Sequence, residues 1–219
     1  MFKSIKVIGR GRVGSAVAGR LRERGVLAEN ENAELVLLCV PDSAIADVAR
    51  TIAEGPWIAH VSGATPLAAL DPHARRFGMH PLQTFTRARG PEQLDGAWAA
   101  VTGETDDARA RGRWIAEQLG LRPFDMTESG RVLYHAGAAM ASNYLVTLYR
   151  AAARVAEMAG APSEALVPLM RRTIDNGFDL TGPISRGDWT TVEAHLDALR
   201  RDAPDLVPVY RALAEATTR

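Results

Sequence analysis

Three groups of residues have the types and spacing to do chemistry. The first is Gly9-Arg10-Gly11-Arg12-Val13-Gly14, which directly follows the apolar run Lys6-Val7-Ile8 and leads into the helical run Ser15 to Arg24. Strand, G-x-G-x-x-G and helix in this order form a dinucleotide-binding fingerprint. The first glycine makes a tight turn, the second lets backbone approach a pyrophosphate, and the third lets helix and strand pack closely. The helix N-terminus then faces the anion, and Arg10 and Arg12 offer forked guanidinium donors for phosphate. A Gly-rich turn without a ligand, and solvated surface arginines, are the plainer alternatives.

The second group lies where an open parallel sheet binds its ligands, just beyond the carboxyl ends of the strands. The residues there are Val40-Pro41-Asp42, Ser62-Gly63 and His80-Pro81-Leu82-Gln83-Thr84-Phe85. Val40, Pro41, Asp42 and Ser62 are expected to border the cofactor and Gln83 the substrate. A histidine after a strand and before a proline is held extended at the rim of the sheet. With an unperturbed pKa of about 6.5, His80 could exchange the proton of a substrate alcohol or carbonyl as hydride moves. A structural histidine satisfied by backbone is the equal alternative.

The third group sits in a C-terminal half without strands. His135 and Ser142, seven residues apart, fall on nearly one helix face, with Asn143 a little around from them. Buried polar groups there need each other, neighbouring helices or a ligand. In Leu180-Thr181-Gly182-Pro183-Ile184-Ser185-Arg186-Gly187-Asp188 the helical pattern breaks. Arg186 there either pairs with Asp188 or receives a substrate carboxylate.

The elements that must position these residues read as α/β up to residue 125 and as all-helical from 126 to 219. Strands are expected at 6–8, 35–40, 57–61, ending near 79, at 97–102 and at 121–124, with helices near 43–54, 66–71 and 105–119. The capping-box spacing of Asp125 and Glu128 predicts a helix start there, running to about Ala159 before Gly160-Ala161-Pro162. Further helices fit 163–176, 190–200 and 204–218. Only Gly25 to Glu34 separates the first helix from the strand at 35–40. A parallel pair needs a crossover of roughly a dozen residues or more, so Val26-Leu27-Ala28 cannot pair with that strand. The expected fold is therefore a Rossmann-like parallel sheet, shortened by the second strand and its helix, followed by an all-helical domain. Glu29 and Glu31 have the spacing of a ribose-gripping acid but lack a strand to present them.

The 219 residues, 47% hydrophobic and 24% charged, fit one large or two small globular domains. Zero formal net charge argues against a nucleic-acid partner. Cys39, the single cysteine, lies in an apolar strand and can form no internal disulfide. The histidines are scattered, without metal-ligand spacing. No signal peptide is apparent, so a cytoplasmic protein is expected. Val132 to Tyr149 contains no Asp, Glu, Lys or Arg, but its His135, Ser142, Asn143, Thr147 and tyrosines make a membrane span costly. It reads as a buried central helix instead.

Taken together, GRGRVG at 9–14, LVLLCVPDSAI at 35–45, HPLQTF at 80–85, YHAGAAMASNYLV at 134–146 and LTGPISRGD at 180–188 resemble a family of bacterial Rossmann-like proteins whose C-terminal part is a domain of unknown function, within the 6-phosphogluconate dehydrogenase-like superfamily. The resemblance implies an oxidoreductase using NADP or NAD on a small-molecule substrate, related to ketopantoate reductase and pyrroline-carboxylate reductase, with a helical second domain that forms a homodimer. Where ketopantoate reductases carry a catalytic lysine and asparagines at four-residue steps, this chain has His135, Ala139 and Asn143. Asn143 fits that pattern and the lysine is absent. Prephenate dehydrogenases are similar in one loop, a His-Pro after a strand, which supports a catalytic His80. The resulting expectation is hydride transfer between nicotinamide and a small keto acid-like carbonyl or alcohol, with His80 as acid/base, His135 and Asn143 orienting the substrate oxygen, and Ser142 and Arg186 contacting substrate. The alternatives are a degenerate Rossmann protein acting as a dimeric binding or regulatory module, and a phosphate-bearing cofactor lacking adenosine.

Overall fold

The computed structural model describes residues 1–28 and 32–218. The apolar run Leu35–Leu38, buried on both faces, sets the architecture: Leu35 and Leu37 face one core and Val36 and Leu38 the other. Burial on both faces is the signature of a strand inside a parallel sheet covered by helices. Six strands pair in sequence order: β1 (Ile5–Ile8), β2 (Leu35–Leu38), β3 (Trp57–His60), β4 (Arg76–Leu82), β5 (Trp98–Thr102) and β6 (Arg122–Asp125). All neighbours are parallel except β4 and β5. Helices α1 (Arg12–Glu23), α2 (Ile45–Arg50) and α3 (Asp106–Gln118) cover the sheet, with short 3-10 turns at Asp42–Ala44 and Leu67–Leu70. The expected Rossmann-like sheet is thus present.

The second strand of the nucleotide-binding unit survives as a stump. Ile5 N–H donates to the Val26 carbonyl and Ala28 N–H to the Ile5 carbonyl, giving one parallel bridge, Ile5 to Leu27, on the free edge of β1. Glu29 and Glu31 lie outside the described residues.

Helices α4 (Arg131–Ala139), α5 (Leu145–Met158), α6 (Leu166–Asp175), α7 (Trp189–Asp202) and α8 (Val207–Thr217) complete the chain, with a π-helical segment at Met140–Tyr144 between α4 and α5. The expected helix start at Asp125 is corrected. Asp125 ends β6, where it bonds Arg113, and Glu128 is held by Arg131, so neither residue caps and α4 begins at Arg131. The chain divides into two compact units, Met1–Ser142 and Asn143–Arg219.

The expected burial of 132–149 is also corrected. Val132 and Leu133 are 71% and 80% exposed, and α5 has no buried residue. A stretch without charge marks a face that favours cover, whether or not its own chain supplies it. No helix among the described residues is long and apolar enough to cross a membrane.

Candidate active site

The glycine turn separates structural from ligand-related glycines. A Cβ on Gly9, at φ +108°, would lie 2.3 Å from the Cys39 carbonyl oxygen, and one on Gly14 would lie 2.1 Å from the Gly9 oxygen. Both are therefore required by packing. Gly11 caps α1 at φ −72°, where any residue fits, and a Cβ there meets nothing within 4 Å. The fold itself has no need of a glycine at that position. Arg10 and Arg12 are exposed beside it, the first turn of α1 holds no acidic residue, and Val13 packs onto the core. Cys39 is buried behind the turn, which pushes its thiol up to about 12 and keeps it protonated.

Next along the carboxyl ends, Val40 packs against the core while Asp42 is exposed and accepts a 2.7 Å bond from the Ser62 hydroxyl. Ser62 Oγ also accepts from the N–H groups of Ala64 and Thr65. These bonds knit the turns after β2 and β3 together, with Pro41 leading into the first of them.

His80 lies inside β4, opposite Ala100 of β5, rather than after a strand as expected. Pro81 is tolerated there because β3 stops pairing at Gly78, so Met79 to Leu82 pair only with β5. Alternation along β4 sends Phe77 and Met79 into the core and puts Gly78 and His80 on the opposite face. That face meets the first turns of α4, whose Arg131, Tyr134 and His135 stand at i, i+3 and i+4 and so share one side.

The contacts are close. Tyr134 Oη lies 2.8 Å from His80 Nδ1, with the rings edge-to-face at 5.6 Å. The His135 ring stands 6.0 Å from His80, also edge-on. Gly63 admits both, since a Cβ there would lie 2.7 Å from His135 Cδ2 and 3.0 Å from His80 Nε2. Burial, reinforced by His135 and Arg131 and opposed by Asp42, lowers His80 to about 4. Burial raises Tyr134 to about 12. His80 is thus a neutral imidazole at neutral pH, which corrects the expectation of an unperturbed histidine.

Beneath the pair, Arg131 is 2% exposed, donates to the Ser62 carbonyl and ion-pairs with Glu128, whose other oxygen accepts from Leu67 N–H. This clamp ties the turn after β3 to the start of α4. His60, fully buried, accepts from Ser62 N–H at Nδ1 and leaves Nε2 without a partner among the described residues. Burial first, then Arg131, lowers it to about 4. The sequence patterns assign no site role to His60, Arg131 or Tyr134 and give Glu128 only as a helix cap. The i, i+3, i+4 spacing of Arg131, Tyr134 and His135 was the available signal.

The other expected residues are engaged locally. Gln83 bonds within its own loop, to Thr84 N–H and the Gln93 carbonyl. Ser142 donates 2.7 Å to the Ala138 carbonyl in the π-helical region. Within the second unit, the Asn143 carbonyl accepts from Thr147, and Arg186 donates to the Thr181 carbonyl. Asp188 caps α7 through Thr191 and does not bond Arg186.

Residues 97–217, more than half of the chain, match the family model described as Domain of unknown function (DUF2520). The chain belongs to this DUF2520 family. No curated protein matches the sequence. Among solved structures, the chain is similar to BF3122 from Bacteroides fragilis, named as a candidate NADP oxidoreductase, at 22% identity and TM-score 0.80 over 99% of this chain and 98% of that one. It is similar to TM1727 from Thermotoga maritima at 22% identity and TM-score 0.74, over 99% and 100%. A reductive aminase from Aspergillus terreus in complex with NADPH is 18% identical with TM-score 0.65, over 100% and 94%. At these identities the likeness establishes the fold.

Proposed function

We propose that the chain is an oxidoreductase of the 6-phosphogluconate dehydrogenase-like kind, transferring hydride between NADP or NAD and a small carbonyl or alcohol of keto acid type in the cytoplasm. Gly11 carries this reading. Packing requires Gly9 and Gly14 but leaves Gly11 unexplained, and close approach of a pyrophosphate explains it. The nearest part of the chain fits an anion: an α-helix N-terminus free of acidic residues, flanked by Arg10 and Arg12. Gly9 to Gly14 would hold the pyrophosphate, with Val40, Pro41, Asp42 and Ser62 bordering the rest. When bound, the reduced nicotinamide supplies a hydride. The chain's own contribution is the His80, Tyr134 and His135 group, which presents polar ring edges beside Gly63 to a substrate oxygen. Asn143, Ser142 and Arg186 remain proposed as substrate contacts. The likeness to an NADPH-bound reductive aminase supports a nicotinamide cofactor.

The stump at Val26 to Ala28 favours one other reading, a binding module that has lost catalysis, because the adenosine side of the site has little strand to support it. The Gly11→Ala variant tests the assignment. We expect its melting temperature to stay within about 2 °C, since the position is open, while NADPH affinity falls at least about tenfold, which is ~1.4 kcal/mol. Unchanged affinity overturns the glycine assignment. Gly14→Ala is expected to lose the fold.

A homodimer through the helical unit belongs to the same proposal. The four buried apolar side chains of that unit, among the described residues, are Val192, Leu196, Leu199 and Ala203. An apolar groove of about 1160 Å³ runs between α5, α6, α7 and α8. A unit this small with so thin a core is completed by association, and a second copy of the same face is the commonest solution. Sedimentation showing a monomer at micromolar concentration contradicts it.

A further inference from the structure

We propose that His80 and Tyr134 form a two-residue proton relay, in which the Tyr134 hydroxyl donates to His80 Nδ1 and the His80 Nε2–H serves the substrate oxygen beside Gly63. The inference rests on the oxidoreductase reading and assigns the source of the proton within that site.

The geometry supports each half of the relay. Tyr134 is the only hydrogen-bond partner of the His80 ring among the described residues, at 2.8 Å on Nδ1. Nε2 lies beside the Gly63 backbone, which comes close because it carries no side chain: a Cβ on Gly63 would lie 3.0 Å from that nitrogen, and the His80 ring is only partly buried. His135 stands edge-on beside the same glycine. Tyr134 is braced in turn by Phe124, edge-to-face at 5.9 Å, so the hydroxyl cannot swing freely away from the histidine. Were Nδ1 the donor instead, the hydroxyl proton would have no acceptor among the described residues, and Nε2 would offer only a lone pair to the substrate oxygen.

The charge state explains why two residues are needed. His80 faces His135 and Arg131, with Asp42 as the opposing charge, and burial holds it neutral at pH 7. A neutral imidazole is a poor acid when acting alone. It works well as a conduit, because it can release the proton on one nitrogen while taking one on the other. As the carbonyl carbon gains hydride, its oxygen gains an electron pair and takes the Nε2 proton. Nδ1 takes the Tyr134 proton, and the His80 ring emerges neutral as the other tautomer. The phenolate left on Tyr134 recovers a proton from water. Proton flow runs downhill, since an aliphatic alcohol is a weaker acid than a phenol. Tyr134 acts through His80 and is a positioning and relay residue.

The tautomer decides the matter and can be read without turnover. Nitrogen-15 NMR of the full-length wild-type protein at pH 7, with His80 assigned by the loss of its signals in His80→Gln, is expected to show a protonated Nε2 and an unprotonated, hydrogen-bonded Nδ1. The Nδ1 signal should then move in Tyr134→Phe. A protonated Nδ1 in the wild type overturns the relay. In NADPH oxidation with a panel of small 2-oxo acids, Tyr134→Phe is expected to lower kcat about 100-fold with KM for NADPH within about twofold. An undiminished kcat overturns the relay alone. Absence of NADPH binding by the wild type overturns the oxidoreductase reading and the relay with it.

Discussion

The chain contains the same histidine–tyrosine pair twice. In the first unit His80 Nδ1 lies 2.8 Å from Tyr134 Oη, and in the second His195 Nδ1 lies 2.7 Å from Tyr210 Oη, both edge-to-face. Their surroundings differ. His80 is half-buried in a strand, with the Gly63 backbone beside its Nε2 and His135 and Arg131 close by. His195 is exposed on α7 and lines an apolar groove. A hydrogen-bonded pair becomes chemically useful through what burial and neighbouring charge do to it, so the pairing alone does not identify a site.

The largest effect that sharpens this contrast is His80→Ala. Turnover of 2-oxo acids is expected to fall about 100- to 10,000-fold with NADPH affinity nearly unchanged, measured by steady-state kinetics and calorimetric titration. Unaltered turnover would remove His80 from the mechanism.

Acid titration gives the next largest effect. The folded state holds His60 and His80 near 4, below the unfolded value of about 6.5. Between those values the unfolded chain binds more protons, so this stabilisation is complete above about pH 6.5 and is lost as pH falls toward 4. Fully buried His60 alone corresponds to about 3 kcal/mol. Urea unfolding between pH 7 and 4 measures it, and a flat profile contradicts the buried, neutral histidines.

Arg131→Leu removes the clamp between Ser62, Glu128 and α4. A loss of about 1–3 kcal/mol is expected, because the buried Ser62 carbonyl loses its partner. Chemical denaturation reads the change directly. The smallest effect is expected from His195→Gln, within about twofold in turnover. A loss as large as that of His80→Ala would break the contrast between the two pairs.

Much of the sheet was legible because both-face burial writes strands as continuous apolar runs, as at Leu35–Leu38. The glycine turn was legible because strand, turn and helix are contiguous in sequence. The position of His80 was misread because Pro81 suggests a strand end, whereas β4 is unpaired on the β3 side at that point and accepts proline. The Asp125–Glu128 spacing misled because Glu128 is drawn into the clamp with Arg131. Tyr134 and Arg131 are not legible as site residues because their meeting with His80 and Ser62 joins positions 54 and 69 residues apart. The helical spacing of Arg131, Tyr134 and His135 puts them on one face, but no local pattern encodes which strand that face meets.

Titration of the purified chain with NADPH and with NADH, followed by heat, tests the central claim most directly. Binding of either cofactor with micromolar affinity is the predicted result, showing that a nucleotide unit whose second strand is a single bridge still holds its dinucleotide. No binding of either at millimolar concentration would contradict the account.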